Sequence, residues 1–161
     1  DIKYYNLLKA WAVRTDNDFS FINSHDKTAA VRDSSLRETL ERSLKTRLQN
    51  SKNMILILGE TTREDADWVP FEIRYAVDIC QIPIIAASTG YERITVPSEL
   101  SPIWPAALAT RITNGTAHVI HIPFKKDPLE DAIGQFGPDK FPKGGGLGFY
   151  DAKAYQSWGL L

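Results

Sequence analysis

Hydrophobic and polar positions change period several times along the chain, and each change predicts an element. Tyr4, Leu7, Leu8, Trp11 and Ala12 recur at the spacing of one helical face between residues 3 and 13. The polar run TDND breaks that pattern. FSFI, residues 19–22, then alternates aromatic and β-branched positions with polar ones and predicts a short strand. NSHDKTAAVRDS is polar and aperiodic, the signature of a long loop.

Leu36, Leu40, Leu44 and Leu48 form an i, i+4 stripe through SLRETLERSLKTRLQNSKN, with Ser35 and Glu38 as a capping box at its start. MILILG, residues 54–59, is an unbroken apolar run ending in glycine, as in a parallel strand buried on both faces. ETTREDA is a loop. In DWVPFEIRYAVDIC, Asp67 is placed as an N-cap and Pro70 falls in the first turn, where a missing N–H costs nothing. Val69, Ile73, Ala76, Val77 and Cys80 mark its buried face. The helix gives way at QIP to the apolar strand IIAAST.

Residues 90–116 hold three closely spaced prolines and predict only short helical turns, and NGT reads as a loop rather than a hairpin. AHVIHIPF is a last strand. DPLEDAIGQF is a last short helix, with Asp127 as its cap. From Gly137 on, the chain is Gly-rich and then aromatic, a tail or arm distinct from a domain spanning residues 1–136. Helices and strands alternate throughout, which predicts an α/β fold with a parallel, doubly wound sheet. Such a sheet normally begins with a strand, so the first strand is expected upstream of Asp1.

Composition narrows the classes of function. Apolar residues make up 43% and charged residues 24%, and 19 bases against 20 acids give a formal charge of −1. Bases and acids are interleaved, which offers neither a nucleic-acid nor a membrane patch. The apolar runs are too short to span a bilayer, and a single cysteine, Cys80, excludes an internal disulfide; a cytoplasmic protein is expected. GGGLG lacks the preceding strand and the Lys-Ser/Thr ending of a phosphate loop. His118 and His121, three apart on a strand, point to opposite faces and suit no shared metal, so no metal or resident cofactor is expected. A phospho-receiver domain would need an aspartate after MILIL, where Gly59 and Glu60 stand.

Glu72 is the candidate for chemistry. A glutamate near a helix N-terminus is commonly a solvated carboxylate favoured by the dipole. Here, however, the helix follows the carboxyl end of a parallel strand, the edge where open α/β sheets form their sites. Trp68, one turn earlier, lies on the same side of the helix and serves either as a core anchor or as a wall of that site.

These segments together resemble the Toll/interleukin-1 receptor (TIR) domain family, and most closely its bacterial TIR-like group with ThsB of the Thoeris anti-phage system. The resemblance is carried by the strand MILILG, the loop, W-x-x-x-E opening a helix and the strand after it, with YYNLLKAW, FSFINSHD and SLRETLERSLKTRLQNSKN matching in order. It implies a flavodoxin-like sheet and cleavage or cyclisation of NAD+ with release of nicotinamide. It makes Glu72 the catalytic carboxylate and places Trp68 and the 24–34 loop, with Ser24, His25 and Asp26, beside the substrate. It also implies self-association or contact with other TIR-type domains, and a downstream effector that senses the nucleotide product. Many TIR domains are not enzymes, and a signalling interaction module is the competing expectation.

Overall fold

The computed structural model describes Lys3, which is helical, and residues 34–161. The rest of the expected first helix, the strand at 19–22 and nearly all of the 24–34 loop lie outside the described residues. Helix α1 (Ser34–Gln49) leads into strand β1 (Met54–Leu58). Helix α2 (Trp68–Arg74) continues as a π-helical turn over Tyr75–Cys80 and is followed by strand β2 (Ile84–Ser88). A 3-10 segment (Pro97–Ile103) precedes helix α3 (Ala106–Thr113) and strand β3 (Val119–Pro123). Helix α4 (Lys126–Gln135), strand β4 (Gly148–Phe149) and helix α5 (Ala152–Ser157) complete the chain.

Among the described residues four strands form one sheet in the order β1-β2-β3-β4, with every neighbouring pair parallel. Leu58, Ser88 and Pro123 are in register at the carboxyl edge. β2 and β3 are buried along their whole length, which explains their continuous apolar runs, whereas β1 alternates buried and half-buried positions. Period-two alternation divides the side chains between two cores. Met54, Leu56, Leu58, Ile84, Ala86 and Val119 pack against Val69, Ile73, Ala76 and Val77 of α2 and Leu108 of α3. On the opposite face Ile85, Ala87, Ile120 and Ile122 pack against Leu129, Ala132, Ile133 and Phe136 of α4 and its end. Helices thus cover both faces, as in the doubly wound, flavodoxin-like arrangement expected. Among the described residues no helix is long and apolar enough to cross a membrane.

Three local details differ from the sequence expectations, each for a physical reason. The proline-rich stretch contains an eight-residue helix, α3, because Pro105 sits at its N-cap with an extended ψ of 145° and leaves the following residues free to coil. Asp127 lies inside the first turn of α4 rather than capping it, and the helix dipole favours its charge there. The Gly-rich tail supplies the fourth strand: Ile120 and His121 of β3 are in register with Gly148 and Phe149. The glycines let it lie close. A Cβ on Gly148 would stand 2.6 Å from the Val119 carbonyl oxygen, and one on Gly146 would stand 3.0 Å from Ile112. Tyr155 of α5 is fully buried, and its hydroxyl donates to the Ile94 carbonyl (3.1 Å) and accepts from the Ile94 N–H (3.2 Å).

Candidate functional site at the carboxyl edge of the sheet

The chain leaves β1 at Gly59, whose N–H donates to Thr62 Oγ1 (2.9 Å), while the same hydroxyl donates back to the Ile57 carbonyl (3.1 Å). This folds the loop tightly over the end of the strand and delivers residues 65–68 to the start of α2. There Asp65 rather than Asp67 serves as the side-chain cap. Its Oδ1 accepts from the N–H groups of Asp67 (2.8 Å) and Trp68 (3.0 Å), satisfying amides that a helix start leaves without partners.

The carboxylate of Asp67 turns instead to α1. Arg37 Nη1 donates to Asp67 Oδ2 at 2.7 Å and Nη2 to Oδ1, a forked pair. Arg37 Nε also lies 3.5 Å from Glu41 Oε1, and its guanidinium carbon stands 4.8 Å from the Trp68 ring centroid. The hydrogen bonds from Arg37 hold the Asp67 carboxyl below the usual carboxylate range. Trp68 meets Phe71 edge-on at 6.1 Å, and Phe71 stacks on Tyr75 at 6.2 Å. Lys45 Nζ of α1 lies 5.7 Å from the Tyr75 ring, and Gln49 Nε2 donates to the Tyr75 hydroxyl at 2.7 Å. An aromatic row therefore joins α2 to α1.

Glu72 lies in the same short helix, one turn after Trp68, and only 5% of it is exposed. It is thus no solvated surface glutamate. Val69 and Ile73, buried on either side of it in sequence, hold the helix against the sheet. Trp68 is half-buried. Ser24, His25 and Asp26 lie outside the described residues, so their distance from Glu72 is not part of this geometry. Sequence reasoning missed Ser88. It ends β2 at the same edge of the sheet, and its fully buried Oγ meets no hydrogen-bond partner among the described residues. Its residue type inside an otherwise apolar run, IIAAS, was the available signal.

The other candidate groups lie elsewhere. His121 is fully buried on β3, with Nε2 2.8 Å from the Gly146 carbonyl oxygen, and burial lowers its pKa to about 4. A carbonyl only accepts, so Nε2 carries the proton and the ring is neutral at pH 7. His118, just before β3, stacks flat on Phe141 at 4.0 Å. That pair lines a groove of about 540 Å³ with Val77, Asp78, Gln81, Ile82, Gly115 and Thr116, at the amino edge of the sheet and away from Glu72. Among the described residues no group of three or more His, Cys, Asp or Glu side chains is placed to hold a metal ion.

Residues 1–93 match the model of a family described as Thoeris protein ThsB, TIR-like domain. The match covers α1, β1, α2 and β2, and with them Glu72, Trp68 and the 24–34 segment. No solved structure matches the chain.

Proposed function

Since the chain belongs to the ThsB TIR-like family, with 93 of its 161 residues under the family model, we propose that this signalling domain cleaves or cyclises NAD+ in bacterial anti-phage defence, with Glu72 as its catalytic carboxylate. The observation that carries this reading is the burial of Glu72 on a helix that starts at the carboxyl edge of a parallel sheet. Burying a carboxylate is costly, and an exposed position such as that of Arg74, two residues on, would avoid that cost. A carboxylate held out of water interacts more strongly with a developing positive charge than a solvated one.

The chemistry needs such a group. The bond between ribose C1′ and the nicotinamide nitrogen breaks, and its electron pair goes to the pyridinium ring, which departs neutral. The ribose is left oxocarbenium-like, as in glycoside cleavage. Glu72 beside it stabilises that charge and holds the ribose hydroxyls. Water then adds at C1′ and loses a proton, giving ADP-ribose, or a nucleophile of the same nucleotide adds and gives a cyclic product. The leaving group already carries its positive charge, so a single carboxylate suffices without a metal or a resident cofactor. On this reading Trp68, one turn away, is a wall of the site, and Ser24, His25 and Asp26 are the further residues that the family resemblance assigns to the substrate. Assembly with further copies or other TIR-type domains completes the active form, and the product is read by a nucleotide-sensing effector.

The test is nicotinamide release from NAD+ by the full chain, at high protein concentration with a crowding agent. Release by the wild type that Glu72→Ala abolishes is the expected result. A folded, assembled wild type that leaves NAD+ intact favours the alternative, a non-enzymatic module that joins TIR-type domains.

A further inference from the structure

We infer that Arg37 is a positioning residue for the reaction at Glu72, holding through Asp67 and Trp68 the helix turn on which that carboxylate sits. The inference rests on the reading of Glu72 given above. Asp67 is the residue from which α2 starts and Trp68 is its first residue, four positions before Glu72. Arg37 engages both: two N–H groups meet the two Asp67 oxygens, and the guanidinium carbon lies 4.8 Å from the Trp68 ring. Glu41, one turn further along α1, faces Arg37 Nε at 3.5 Å. The guanidinium is thereby fixed at two edges and one face, which a planar fork permits and a lysine ammonium does not.

The rest of the helix gives this clamp unusual leverage on Glu72. α2 is α-helical for seven residues only, and from Tyr75 it widens into the π turn. Glu72 therefore sits in the short stretch between the clamped start and the change of helical pitch. Asp65 caps the same turn from its own loop, and Arg63 in the preceding 3-10 turn donates to the Pro102 carbonyl, which anchors the loop that leads into α2. Arg37 alone among these ties it to α1.

Exposure separates this role from plain stabilisation. The Arg37 side chain is 42% exposed and that of Asp67 52% exposed. Ion pairs so open to water contribute little to folding stability. What the pair supplies is geometry, and small misplacements of a reacting group weigh heavily on rate.

The experiment measures kcat and KM for NAD+ cleavage by the full chain, with Arg37→Ala, Arg37→Lys, Asp67→Asn, Arg37→Asp, Asp67→Arg and the exchanged pair that combines the last two. Melting temperature and amide hydrogen exchange at residues 68–72 are followed in the same proteins. Arg37→Ala and Asp67→Asn are expected to lower kcat by about tenfold to a hundredfold. KM should stay within about twofold of wild type, because uniform binding of substrate is not what the clamp supplies. Exchange at 68–72 should rise while the melting temperature hardly moves. Arg37→Lys restores part of kcat, and the exchanged pair restores more of it than either of its single changes. An active wild type whose kcat survives Arg37→Ala overturns the positioning role and leaves the reading of Glu72 standing. A kcat loss matched by a fall in melting temperature, without rescue by the exchanged pair, also overturns it. A wild type that releases no nicotinamide overturns the reading of Glu72 and this role with it; the exchange measurement then reports whether Arg37 holds the turn at all.

Discussion

Glu72 and His121 are both buried titratable groups, 5% and 0% exposed, and their surroundings differ. His121 lies inside the sheet, with Trp104 tilted against its ring at 5.5 Å and Gly146 accepting from Nε2. Its pKa of about 4 in the fold, against 6.5 when exposed, means that the unfolded chain takes up a proton first as pH falls. This group's contribution to stability is therefore complete above pH 6.5 and is lost progressively down to pH 4, a change of roughly 3 kcal/mol. Melting curves from pH 7 to 4 are expected to show that loss. His121→Gln should remove part of the slope while lowering stability throughout. At this scale the sequence placed Glu72 and Trp68 on one side of a helix and picked out the apolar set Val69, Ile73, Ala76, Val77 and Cys80; Glu72 and the first four of that set are buried, while Trp68 and Cys80 are half-buried. It placed the N-cap at Asp67, where the helix does begin, but the side-chain bonds to the first amides come from Asp65, while the Asp67 carboxylate meets Arg37, thirty residues away, a partner that no local pattern contains.

At the level of elements, the strands were legible because a parallel strand covered on both faces must be apolar throughout. α3 was not, because its prolines obscure a helix that begins just after Pro105. β4 was not either, because two residues carry no periodicity and the glycines beside them resemble a loop. Their role is close approach. Gly148→Ala would push a methyl against the backbone oxygens of Val119 (2.6 Å) and Lys143 (2.8 Å), neither of which can rotate away. A loss of about 1–3 kcal/mol is expected, read as a lower denaturant midpoint. Gly134 makes the contrast: it lies exposed inside α4, and a Cβ there meets nothing within 4 Å. Gly134→Ala should therefore stabilise the protein by roughly 0.5–1 kcal/mol in the same measurement.

For the molecule as a whole, the residues after Gly137 are part of how the described fold holds together. β4 extends the sheet, Tyr155 is locked to Ile94 by two hydrogen bonds, and Trp158 packs edge-on against Tyr150 (5.0 Å) and Tyr155 (5.7 Å). The aromatic content of this segment was plain in the sequence, but its docking partner, the Ile94 backbone sixty-one residues earlier, leaves no trace in composition. Ending the chain at Gly137 is expected to strip cover from β3 and lower the melting temperature by several degrees or more. Tyr155→Phe, which keeps the ring and leaves the Ile94 groups unpaired, should cost about 1–3 kcal/mol. Calorimetry of the two variants checks both statements. The overall arrangement places the carboxyl ends of β1, β2 and β3, and the start of α2 with them, along one edge. The fold type could be read from the alternation of elements; the ion pair between α1 and α2 could not, since it joins exposed polar residues that look like an ordinary solvated helix face.

The measurement that bears most directly on the account is nicotinamide release from NAD+ by the full chain and by Glu72→Gln, which keeps the shape of the side chain and removes its charge. Near-UV circular dichroism of both proteins would confirm equal folding. The expected result is release by the wild type and a fall of at least about a hundredfold in Glu72→Gln, the scale of losing one aimed electrostatic group. Equal release by the two proteins would contradict the account, because the charge on Glu72 would then have no part in the chemistry.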